Sequence, residues 1–171
     1  MRATPTAWRR LVEWSLVAGA IVILVLGFGY YARFVQGQGE LAAVRLTVGA
    51  LRSTLATDDL RARVRAAEPW VSSARRNPFE LLSRRPANYR GEVTDARMPE
   101  AATVPGSWVF DRACACVGYR PVDSRWLDSP SGDVMVWFYV MGHATGGSPG
   151  STGPLQLIAR EAYRWQGQLV D

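Results

Sequence analysis

One carboxylate stands out by its surroundings. Glu13 lies near the start of residues 11–31, a run that holds no other charge, and Arg9 and Arg10 stand immediately before that run. An ionised group among lipid chains is costly and is relieved by a partner charge, so such a residue marks a functional site by default. The chemistry open to Glu13 is electrostatic. It can take a cation from a neighbouring chain, either a backbone ammonium or an arginine such as Arg9 or Arg10. Alternatively it is hydrated at the headgroup boundary, or paired within its own helix with Arg9 at i−4.

Cys114 and Cys116 are the only cysteines, one residue apart. Cysteines of exported domains tend to pair. Residues i and i+2 of a strand, however, lie roughly 6.5–7 Å apart, too far for a relaxed disulfide. Apolar filler is therefore the first reading, with a local bridge as the alternative if a tight turn falls here. Two thiols and the distant His143 do not make a four-ligand set, so no metal is expected. No cofactor is expected either.

Catalytic groups are not apparent. His143 is the single histidine, and no serine or cysteine sits in a recognisable nucleophile elbow. Gly146-Gly147-Ser148-Pro149-Gly150 lacks the lysine and following helix of a phosphate loop. The acids are scattered singly. The chain reads as non-enzymatic, with no small-molecule substrate.

Basic charge is unevenly spread. All 20 basic residues are arginine, and residues 61–97 hold nine arginines against four acids. That stretch is either a solvated face or a patch for acidic neighbours and anionic headgroups. Nucleic acid is not expected as a partner for a chain held outside the membrane.

Residues 11–32 are long and apolar enough for a transmembrane helix, which needs about 20 such residues. Arginine-rich short flanks stay in the cytoplasm, so the basic tail 1–10 is expected inside and the rest outside, in the periplasm of a Gram-negative cell, with the inner membrane as its location. A secretory signal peptide has a shorter apolar core and a small-residue cleavage site. Gly29-Tyr30-Tyr31-Ala32-Arg33 offers none, so an uncleaved anchor is expected, with Tyr30 and Tyr31 at headgroup depth.

Residues 33–68 form an amphipathic helical region. Leu41, Val44, Val48, Leu51 and Leu55 recur at spacings that place them on one helical stripe flanked by Arg45 and Arg52. Gln36-Gly37-Gln38-Gly39 is a soft spot, and a second helical piece is expected to start at Thr57-Asp58-Asp59 and stop at Pro69. Residues 69–106 connect, with a short helix opened by Asn77-Pro78. Residues 107–171 read as an antiparallel sheet. Its strands are expected at 107–110, 115–120, 134–140 and 155–165, with a long loop over 143–154. The sheet is the natural cover for the leucine stripe, which gives an α+β fold. Trp108, Trp137 and Trp165 are expected in its core.

This order resembles the type IV pilin-like proteins, among them the pseudopilins of type II secretion systems. The words Asn77-Pro78-Phe79-Glu80-Leu81-Leu82, Pro86-Ala87-Asn88-Tyr89, Gly106-Ser107-Trp108-Val109-Phe110-Asp111 and Val117-Gly118-Tyr119-Arg120 are similar to the connecting region and first hairpin of several such proteins. The resemblance implies a membrane-anchored subunit acting in assembly of a type IV pilus or a pseudopilus. Its partners would be other pilin-like subunits, membrane assembly proteins and the lipid bilayer. It also implies that Glu13 sets subunit register. The family's processing junction would fall between Trp8 and Arg9, where this chain lacks the expected glycine and following phenylalanine or methionine. The rival reading is a single-pass inner-membrane protein whose periplasmic domain is a scaffold or sensor for an envelope complex.

Overall fold

A single α-helix, α1, runs unbroken over Pro5–Arg65. The computed structural model describes residues 5–65, 76–93, 103–144 and 152–170. By its contacts the chain divides into two units, Met1–Gly39 and Glu40–Asp171, and α1 contributes to both.

No new helix starts at Thr57-Asp58-Asp59. The Thr57 hydroxyl donates back to the Ser53 carbonyl at 2.8 Å, the bond a threonine makes inside a helix and not at its N-cap. The position where Pro69 was expected to stop this helix lies outside the described residues. Within the first unit, the large apolar side chains between Trp8 and Val35 are exposed, Trp14, Leu24 and Phe28 among them. α1 is long and apolar enough to cross a bilayer by length and composition.

Glu40–Asp171 is built the opposite way. Leu41, Val44, Val48, Leu51 and Leu55 are all buried, packed with Trp108, Phe110, Val117, Tyr119, Val136, Phe138 and Leu157 of the sheet. That sheet runs in the order β1-β2-β3-β5-β6. Its strands are β1 (Tyr89–Val93), β2 (Ser107–Asp111), β3 (Cys116–Arg120), β5 (Val136–Ala144) and β6 (Thr152–Ala159). The fold class is α+β. β2 and β3 form a hairpin with Trp108 opposite Tyr119 and Phe110 opposite Val117, which sends one large side chain from each position to the helix face.

The alternate residues make a second cluster, in which Val109, Cys116, Met135 and Trp137 are buried. Strands buried on both faces read as continuous apolar runs, which is why residues 134–140 show no alternation. Trp108 and Trp165 belong to the helix-facing core and Trp137 to the second cluster. Gly118 lies opposite Trp137, and a Cβ there would come within 2.5 Å of the indole. Only glycine lets that ring lie across the strand.

Three details differ from the sequence expectation. The sheet is not wholly antiparallel, because β1 pairs parallel to β2. Tyr89-Arg90-Gly91-Glu92-Val93 gives little strand signal, with two charges and a glycine at positive φ. The stretch expected as one strand over 155–165 is two elements: β6 ends at Ala159 and β7 (Arg164–Trp165) starts a separate small sheet with β4 (Leu127–Asp128) and β8 (Gln168–Leu169). Gln166 and Gly167, both at positive φ, close the β7–β8 hairpin as a two-residue turn requires. Finally, His143 lies on β5 and not at the start of a loop, while residues 145–151 of the expected loop lie outside the described residues. Asn77-Pro78 opens one 3-10 turn, with the Asn77 side chain accepting from the Phe79 N–H.

Candidate functional site

At the start of the apolar run, the Arg9 Nε donates to Glu13 Oε1 at 3.0 Å. The pair is i,i+4 on one helix and both side chains are well exposed. Ser15 is likewise satisfied within the helix, its hydroxyl donating to the Val12 carbonyl. Arg10 is exposed beside the pair. Glu13 and Ser15 are therefore matched within their own helix. A carboxylate beside an arginine enters the interfacial region as a neutral pair, which lowers the penalty a lone charge would meet.

A second set of polar contacts fastens α1 to the sheet within Glu40–Asp171. Glu40 Oε1 accepts from the Tyr119 hydroxyl at 2.7 Å and from the Val122 N–H at 2.9 Å. Burial, reinforced by this carboxylate, pushes the Tyr119 hydroxyl pKa well above the ordinary tyrosine value. Further along, Arg45 donates to the Leu169 carbonyl at 2.9 Å. Arg52 Nε donates to the Leu157 carbonyl at 3.0 Å. Leu157 is on β6, the strand at the sheet's edge, so a guanidinium caps an edge carbonyl that has no strand partner on that side. Alongside lies a largely apolar groove of about 520 Å³ bounded by Arg52, Ala56, Leu155, Leu157 and Val170. The flanking arginines of the stripe were visible in the sequence. Their carbonyl partners, more than 100 residues away, were not.

The third constellation is the β2–β3 turn. Cys114 and Cys116 are joined as a disulfide with their Cα atoms 5.2 Å apart. The apolar-filler reading assumed an extended strand at these positions. In the structure Ala115 stands at φ 53, and this left-handed residue brings the two sulfurs together. A non-glycine residue there costs roughly 1–2 kcal/mol. Asp111 holds the turn: its Oδ1 accepts from the Ala113 N–H at 2.7 Å. Its residue is fully buried, and its Oδ2 has no hydrogen-bond partner. The sequence carried one signal for this arrangement, an aspartate that begins a tight turn.

Of the expected basic patch, Arg61, Arg76, Arg84, Arg85 and Arg90 are exposed. Arg85 lies 3.9 Å from Glu80. Arg75 and Arg97 lie outside the described residues, and the side chains of Arg63 and Arg65 are not described.

No family model, curated protein or solved structure matches this chain. A long N-terminal helix that is exposed and apolar first, and then packs through Leu41–Leu55 on a mainly antiparallel sheet, is nonetheless a pilin-like architecture.

Proposed function

We propose that this chain is a non-enzymatic, membrane-anchored pilin-like or pseudopilin-like subunit acting in assembly of a type IV pilus or type II secretion pseudopilus. Its N-terminus is cytoplasmic, and the unit from Glu40 onward is periplasmic. The observation that carries this reading is the split character of α1. Its exposed apolar side chains run through the first unit, and a stripe of five buried residues follows from Leu41 to Leu55. A subunit of that kind needs a helix that lipid or other helices can surround at one end and a folded domain to present at the other.

The Arg9–Glu13 pair favours a second reading, a single-pass inner-membrane anchor for an envelope scaffold or sensor. There Glu13 is already satisfied and needs no neighbour. Glu13→Gln separates the two, because it keeps shape and removes charge. For an assembly subunit, recovery of crosslinked or co-purified neighbouring subunits falls for the variant at equal membrane abundance. Equal recovery leaves the anchor reading in place and removes the assembly role from Glu13.

A further inference from the structure

We propose that the β2–β3 turn is a redox-gated metal site. Once the Cys114–Cys116 bridge is reduced, the two thiolates and the Asp111 carboxylate bind a borderline-soft divalent cation such as Zn²⁺, with the fourth position open to solvent. One ligand atom from each of Asp111, Cys114 and Cys116 lies within 4.8 Å of the others. In the bridge the two sulfurs sit at bonding distance, whereas ligands at about 2.0–2.3 Å from a tetrahedral ion stand roughly 3.3–3.8 Å apart, so reduction must let the sulfurs rotate apart beside the carboxylate to form the set. Asp111 and Cys116 face each other across the hairpin, and Cys114 is only half-buried, which leaves an entry path.

The buried carboxylate is what points to a cation. Asp111 Oδ2 is enclosed without a hydrogen-bond partner, and such a group costs free energy that a positive ligand would recover. The adjacent arginine does not supply the charge, because Arg112 is paired with Glu92. Donor chemistry selects the ion. Two sulfurs and one oxygen suit zinc-like ions, whereas calcium and magnesium want oxygen throughout.

The gate is chemically simple. A dithiol reductant attacks one sulfur, the Cys114–Cys116 bond breaks, and the reductant leaves as its own disulfide. Two electrons and two protons are transferred, leaving two thiols. Metal binding then releases those two protons to solvent. The bridge closes a very short loop, and the chain entropy a disulfide removes grows with loop length, so reduction takes little of the domain's stability with it. None of these groups belongs to α1, so the site stands or falls apart from the assembly role.

The test uses the full chain in detergent micelles, reduced with a phosphine and freed of it without air. Zn²⁺ is titrated in competition with a chromophoric chelator, and Co²⁺ provides a thiolate charge-transfer band. The expected result is one ion per reduced chain and none per oxidised chain. Asp111→Asn keeps an oxygen for the Ala113 N–H, and it should weaken binding by at least about tenfold, the loss that removing even an outer partner of a metal ligand produces. Cys114→Ser should diminish the cobalt band. Failure of the reduced wild-type chain to bind would overturn the proposal. So would equal binding by the oxidised chain, or undiminished binding by Asp111→Asn.

Discussion

The first unit and the second contain parts of the same helix, and nearly identical side chains meet opposite fates in them. Leu24 is 70 % exposed, whereas Leu51 is 0 % exposed. Backbone conformation does not distinguish them, since both lie inside α1. The distribution of apolar residues does. Apart from Glu13 and Ser15 near its start, residues 11–31 are apolar all round, which suits lipid or other helices, while residues 40–55 bury one stripe of large apolar groups and leave Leu46 exposed outside it. The lesson is that helical propensity is silent about environment, and the width of the apolar face specifies it.

The strongest way to break this contrast is a matched pair of truncations in the full-length protein in micelles. Leu51→Ala should lower the stability of the Glu40–Asp171 unit by about 2–5 kcal/mol, because the cavity opens in a packed core. Leu24→Ala should leave that unit's unfolding midpoint within about 0.5 kcal/mol of wild type. Comparable losses from both would mean that Leu24 is also held by packing.

A smaller effect sharpens the boundary between the two units. Glu40→Ala strips an acceptor from the Tyr119 hydroxyl and the Val122 N–H and should cost about 1–3 kcal/mol. Denaturant midpoints measure it, and an unchanged midpoint would show that water replaces the carboxylate at no loss.

The smallest effect is read with alkali. Burial raises the hydroxyl pKa of both Tyr119 and Tyr163 above the ordinary 10.0. A raised value in the fold means that their contribution to stability is complete below pH 10.0 and is lost as pH climbs towards the folded-state values. Burial raises Tyr89 as well, so part of the tyrosinate absorbance should appear only well above the ordinary tyrosine value. A single stage at the ordinary value would place all three hydroxyls in solvent.

Sequence periodicity was enough to locate the stripe, the hairpin and the helix-on-sheet packing, because burial imposes spacings of three and four on a helix face. It could not find β1, whose place depends on pairing with β2 and not on its own composition. Nor could it separate β6 from β7, since the turn between them carries no glycine or proline. Glu13 drew attention as a lone charge, and its local pairing with Arg9 was among the alternatives its spacing allowed. For Cys114 and Cys116 the first reading, apolar filler, assumed ideal strand geometry; the alternative of a local bridge depended on a tight turn, which Ala115 supplies by turning left-handed. Asp111 was invisible as a candidate ligand, because it acquires that character only through burial opposite Cys116.

The two guanidinium clasps also bear on synthesis. Arg52 waits for a carbonyl 105 residues later, and Arg45 for one 124 residues later. Trp165 and Val170 are members of the same core. At about 5–20 residues added per second, the leucine stripe leaves the ribosome roughly 5–25 s before its cover exists. Through that interval the nascent chain presents an unsheltered apolar ridge directly after its long apolar segment. Until Trp165 and Val170 are made, that ridge has no complete cover within its own chain.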